Sequence, residues 1–535
     1  MDFNFIANRY PKEKYYSART VALDLLLRVV APEVAGSLYD IPGHKPLRPF
    51  HQEQVNNKYV PLHERRPNIP EGSNTLRNQI MRQAAMVWGE SRQPSIETKN
   101  EKAGALLQRW VKRSQLFDKM RQSVILGSIG SVAYHVRILA SVGVSNPGEV
   151  YVDVYDTRYL TPKFSKSRPN EVVGMVEKYV TTGYALAEMG FTIAEEYLSS
   201  KHWFMREWNQ DSEIWYVPWR PTEEEEAKKS SKTFVPKVDE VVPNNVGGKC
   251  LWLWRPNLPL GGGIDGTCQF SQAIDHAINL DYLESQIGAA VKYTMAPILV
   301  VSAPPEVEGL PNSQIEGSNQ QGWAKSSSRI LTIDLDGKAT YLEISGDGIE
   351  AARKVADTQR KSIIEGCHGD RVDPSEVTQA HQGAKSIEML NQPLLGLCEG
   401  LRDCYGDSFL QLLRLFIEII TIRGAKGYLT EIWGEIITPD QAKALGDVLD
   451  LDISWGPFYP YTPAEKLADA QSRESDFRNG FVSQETIVTS ISSSYRIAET
   501  SEEIAKIDAD QKKQDDRAIR LASATVQVKA TDSID

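Results

Sequence analysis

The spacing of apolar residues along this chain changes several times, and each change marks an element. From 101 to 127, Leu106, Leu107, Trp110, Val111, Leu116, Phe117, Met120, Val124 and Ile125 recur every three or four positions, which predicts helix. Residues 74–86 read the same way. After 127 the period falls to two: Val132, Tyr134, Val136 and Ile138 alternate with polar or small residues and predict a strand. Further strands are expected at 150–155, 172–180 and 251–254, a short helix at 193–199, and an aromatic-rich hairpin between Trp203 and Trp219. Residues 1–70 show no clear period and read as irregular, with an extended arm dense in Pro, His and Arg at 42–70. The run PTEEEEAKKSSK at 221–232 reads as a solvated, charged loop.

The second half is dominated by long helical periods. Phe270, Ile274, Ala277, Ile278, Leu283, Ile287, Ala290 and Val291 line one side of a rod over 267–291, about 40 Å long at the α-helical rise. A second helix is expected from 347, with Ile349, Ala352, Val355, Ala356, Ile363 and Ile364 on its apolar side. Between the rods, a strand is expected at 298–301, and the alternation at 329–334 and 339–344 around Asp336 and Gly337 predicts a hairpin. A polar loop bounded by Gly366 and Gly383 follows, then a helical run over 384–422. Beyond it the pattern predicts a helix at 439–449, a short strand from Ile453, and helices at 463–479, 483–491 and 499–520.

Composition changes this picture little. The 535 residues suffice for three or four structural units at about 150 residues each, and 41% apolar with 24% charged residues is ordinary for a folded protein. A net charge of −11 argues against a chain that coats nucleic acid with a basic surface. The five cysteines form no CxxC pair and read as reduced core thiols. The N-terminal run MDFNFIANRYPKEKYY has no apolar signal core, and no apolar stretch reaches the ~18 residues of a membrane span. The chain is expected to be made and folded in a cytoplasm, without membrane contact.

Motifs for chemistry are sparse. The triple glycine at 261–263 lacks the Lys-Ser/Thr of a phosphate loop and reads as a turn. Cys367, His368, Asp370, Asp373, Glu376 and His381 form the densest group of metal-ligand types, but adjacent side chains on extended backbone point apart. A metal-dependent hydrolase is therefore an alternative rather than the favoured reading. No G-x-S-x-G or H-E-x-x-H pattern is present, so no catalytic residue, metal or cofactor is assigned.

Four stretches, in this order, carry a resemblance: QSVILGSIGSVAY at 122–134 followed by strands and RYLTP at 158–162; NLPLGGGID at 257–265 leading into the first rod; GAKSIEMLNQPL at 383–394 opening a long helix; and ISWGP at 453–457, a helix, then NGFVSQETI at 479–487. Together they resemble the portal proteins of tailed bacteriophages. The resemblance implies an α+β portal fold: an N-terminal arm at 1–74, a wing at 75–264, stem helices at 265–295 and 346–366, a β-rich clip at 296–345, a tunnel loop at 367–383, a long helix with the rest of the wing at 384–462, a helical C-terminal crown at 463–520, and a frayed tail at 521–535.

It further implies a homo-oligomeric ring of twelve copies at one capsid vertex of the virion. That ring would be assembled in the host cytoplasm and form the channel for double-stranded DNA packaging and ejection. The implied partners are the terminase large subunit, head-completion or adaptor proteins, and the major capsid and scaffolding proteins. The implied role is structural, not enzymatic. Another head structural protein is the remaining alternative. A channel must hold DNA weakly, so a few basic residues on neutral or acidic walls are the candidates: Lys354, Arg360 and Lys361 on the second rod, with Arg371, His381 and Lys385 in or beside the loop.

Overall fold

A computed structural model describes residues 15–40, 47–61, 64–68, 74–140, 148–229, 233–244, 246, 248–295, 300–302, 331–333, 346–369, 388, 391–432, 435–445, 450–459, 463–488, 503–514 and 516–517. The principal helices are α1 (Ala18–Val30), α2 (Thr75–Trp88), α3 (Glu101–Arg113), α4 (Leu116–Gly127), α5 (Pro221–Lys229), α6 (Ile274–Met295), α7 (Gly346–Gly366), α8 (Gln392–Ala425) and α9 (Pro463–Arg478). The longer strands and the pair at 430–437 are β1 (Ser131–Ala140), β2 (Gly148–Asp156), β3 (Leu160–Phe164), β4 (Val172–Thr182), β5 (Lys201–Trp208), β6 (Ser212–Tyr216), β7 (Val238–Pro243), β8 (Trp252–Pro256), β9 (Thr430–Ile432) and β10 (Glu435–Ile437). The class is mixed α+β, as expected. The chain divides into two units: Met81–Thr267 with Val372–Asp535, and Asp2–Ile80 with Cys268–Arg371.

The first unit is organised around α8. Its positions Leu394, Cys398, Leu401, Tyr405, Phe409, Leu412, Phe416 and Ile419 advance by three or four residues and are all buried, and Cys404, Ser408, Leu413, Ile417 and Ile420 beside them are buried too, so most of the helix is core and only a narrow stripe through Asp403, Asp407, Arg414 and Glu418 is exposed. Phe416 stacks on Trp110 of α3 at 3.9 Å between centroids, and Phe409 meets Trp88 and Phe117. Trp110 also donates its indole N–H to the Val150 carbonyl at 2.9 Å, which ties helix to sheet. α8 approaches α4 so closely that a Cβ at Gly127 would lie 2.0 Å from the Tyr405 hydroxyl, so only glycine fits there.

Two five-stranded sheets complete this unit. One has the order β8-β1-β2-β9-β10, with the β2/β9 pair parallel. The other is the antiparallel meander β7-β6-β5-β4-β3. Trp208 of the meander and Trp252, Trp254 and Ala133 of the first sheet share one apolar cluster. Trp203, Phe204, Trp208 and Trp219 are all under 9% exposed, which explains the aromatic run as core rather than as a base-stacking platform.

Several expectations from the sequence are corrected here. The N-terminal region is not wholly irregular: Ser17 caps α1 by accepting from the Thr20 amide, and Leu23, Leu26, Leu27 and Val30 bury one face. The expected charged loop at 221–232 is helix α5 as far as Lys229, with Pro221 at its start and Glu223 and Glu224 in the first turn, where the macrodipole favours acids. The helical period over 101–127 is split at Gln115, whose φ of 50° is left-handed, giving α3 and α4. Strand β7 was not foreseen, because every one of its residues is exposed and no burial alternation exists to read.

Candidate nucleic-acid interface

The six candidate channel residues belong to α7 and the segment after it. In the second unit α6 and α7 lie antiparallel: Ala273 faces Gly366, His276 faces Gln359, and Glu284 faces Arg360. The line of contact is narrow. Ala356 and Ile363 are buried, followed by Cys367 one turn on, while most of α7 between them is exposed. His276 Nδ1 and Gln359 Oε1 lie 2.8 Å apart and satisfy each other at the seam. A Cβ at Gly366 would stand 3.3 Å from that of Ala273, so the end of α7 packs closely against the residue that precedes α6.

The opposite flank of α6 is covered by the N-terminal arm of the same chain. Tyr39 donates to Asp281 at 2.8 Å, Gln286 donates to the Phe50 carbonyl at 3.1 Å, and the Asn68 amide donates to Ser285 Oγ at 3.2 Å. Tyr282 meets Phe50 edge-on and donates to Glu53. Burial and the Glu53 contact push the Tyr282 phenol up to about 12. The described part of the arm is therefore a brace on the first rod, not a free surface loop. Between arm and rod lies an open groove of about 800 Å³, floored by Ile274, Ala277 and Ile278. Its buried Arg28 is committed to Asp24 and to the Ser37 and Asp40 carbonyls.

The outer side of α7 carries mixed charge: Glu350, Arg353, Lys354, Asp357, Arg360, Lys361 and Glu365 are all exposed. Arg360 is the most committed, bridging Asp357 on its own helix and Glu284 on α6. Lys354 pairs with Glu350 at 3.1 Å on the open surface, a contact of small energy. Lys361 is exposed and has no ion pair among the described residues, and neither has Arg353, which is not among the six candidates. Its signal was available: it precedes Lys354 and lies one turn before Asp357. Arg371, His381 and Lys385 lie outside the described residues. So do Asp370, Asp373, Glu376 and His381 of the weighed metal group.

The two described members of that group point to different environments. Cys367 is buried, and burial pushes its thiol up to about 12, whereas His368 is exposed with a left-handed φ of 54°. Among the described residues no group of three or more His, Cys, Asp or Glu is placed to hold a metal ion. Of the insert between the rods, only Val300–Ser302 and Leu331–Ile333 are described. They pair in parallel, so the Leu331–Ile333 strand has a partner other than the expected hairpin mate, while 339–344 lies outside the described residues. No described helix is long and apolar enough to cross a membrane.

The triple glycine is explained by its ends. Asn257, fully buried, accepts from the Tyr405 hydroxyl at 3.0 Å and donates to the Thr267 carbonyl at 2.7 Å, while its own carbonyl accepts from the Thr267 amide. A Cβ at Gly266 would fall 1.9 Å from the Asn257 carbonyl oxygen. Among the described residues Gly261 and Gly262 have no neighbour within 4 Å of a virtual Cβ, so they stand in the open as a tip. Compared with known proteins, the chain matches no family model and no curated protein.

Proposed function

We propose that this chain is the subunit of a portal-type ring that conducts double-stranded DNA through one vertex of a capsid. The observation that carries the reading is the α6/α7 pair. Two antiparallel rods of 22 and 21 residues touch along a narrow apolar line. Ile278, Leu283, Ile287 and Val291 remain half-exposed and Val355 is 48% exposed, surface that neighbouring copies packed side by side would bury. The remaining face has four bases against three acids, a balance suited to brief contact with sliding phosphates rather than tight binding. The role is structural, with packaging force supplied by a separate terminase motor. Adaptor, capsid and scaffolding proteins dock on the assembled ring, and twelve copies are expected in it.

Negative-stain electron microscopy of the purified full-length chain tests this. Discrete rings with a central hole are expected. Large icosahedral shells would favour a different head structural protein. A monodisperse, unassembled chain that hydrolyses a substrate only with added metal would favour the hydrolase.

A further inference from the structure

The terminal strand of the meander, β7, is bare on both faces. All six of its residues are exposed, with Val241 at 54%. Val217, just after β6, and Val235, just before β7, are exposed as well. The Val217 amide donates to the Lys237 carbonyl at 2.9 Å and holds these two flanks together. Val217, Val235, Val238, Val241 and Val242 therefore stand uncovered along one border of the sheet. Apolar surface gathered on ordered backbone marks a place of contact.

The backbone of this border is open too. At its far end the Asn244 amide donates inward to the Asp211 carbonyl at 2.9 Å. In an antiparallel pair successive residues turn their amides to opposite sides, so Val242 and Glu240 face β6 and Val241 turns its amide and carbonyl outward. Among the described residues no hydrogen bond is made on that outer side. The register with β6 shifts at Asp239, which stands outside the ladder. Asp239 and Glu240 are the charged residues of the strand, both exposed and without an ion pair among the described residues, and Lys237 stands at its entry.

We infer that β7 is a docking edge for an extended, basic segment of a partner protein, which joins the meander as a sixth strand. Charge decides between occupants. A second β7 would gather the acids of both copies on one short ribbon, and like charges across a strand pair repel. A segment with lysine or arginine among apolar residues sets its bases against Asp239 and Glu240, covers the valines, and pairs with the outward amide and carbonyl of Val241. The two acids thus turn away one occupant and recruit the other. This surface goes beyond the proposed channel and does not depend on it.

The test uses the full chain at low salt and a labelled seven-residue peptide of lysine and valine, with binding read by fluorescence anisotropy. Asp239→Lys with Glu240→Lys is expected to weaken the lysine peptide by about tenfold and to admit the matching glutamate peptide in its place. Val241→Pro, which removes the outward amide, is expected to weaken the lysine peptide by about tenfold as well. A lysine peptide methylated on its backbone amides keeps its charge, leaves the protein untouched, and should bind about tenfold more weakly than the plain one. Equal binding of the methylated peptide, or indifference to the charge exchange, would overturn the inference. So would self-association of the wild type in light scattering that Val241→Pro abolishes, because a second copy would then hold the edge.

Discussion

At the scale of single residues, His135 links burial to pH. It sits on β1, 4% exposed, stacked on Trp252 at 4.3 Å and edge-on to Trp208, with no hydrogen-bond partner for Nδ1 among the described residues. Burial first, then the charges of Arg206 and Arg137, hold its imidazole well below the ordinary 6.5. The unfolded chain takes up this proton near 6.5, while the folded chain stays neutral to lower pH. The contribution is therefore complete above that value and is lost as pH falls below it, by up to ~1.4 kcal/mol per pH unit. The melting temperature is expected to fall as buffer goes from about pH 7 to about 5, and His135→Phe, which keeps a flat ring on Trp252, should flatten that slope. An unchanged slope in the variant would show that other groups carry the acid sensitivity. Nothing in the pattern around His135 announced this role: the alternation put it on the polar side of β1, and a second sheet buries it.

At the scale of elements, the rods were legible because their apolar positions repeat every three or four residues, but their ends were not. The first begins at Ile274 rather than 267, since residues 257–267 are held by the Asn257 clasp, whose partners come from 148 residues away as well as from the loop itself. The seam of α6 and α7 should be governed by packing, not charge. Ile363→Ala is expected to destabilise the pair by ~2–4 kcal/mol, because the side chain is fully buried. Arg360→Ala is expected to cost less than ~1 kcal/mol, because its guanidinium is about half exposed. Hydrogen exchange of amides in α6 and α7 reads both. Equal loosening by the two changes would mean that the ion pairs hold the rods together. Helix α5 and strand β7 were missed for one shared reason: among the described side chains neither shows a buried stripe, so their order comes from capping charges and from the neighbouring strand β6.

At the scale of the whole molecule, the proposed channel rests on how copies would combine. Arg353→Glu, Lys354→Glu and Lys361→Glu together leave the seam intact, since all three side chains are exposed. Folding and ring assembly should be unchanged, while DNA packaging or retention falls by about tenfold or more through lost phosphate contacts. Full packaging by this variant would remove the α7 face from the channel wall. By itself the sequence determined the α+β class, the period of each rod and the alternation of β1 and β2, because these depend on residues a few positions apart. Only the tertiary structure decided that the arm braces α6, that Gly127 must yield to Tyr405, and that the meander leaves an acidic strand bare. Each of these depends on groups distant in sequence meeting in space, and no local period encodes such a meeting.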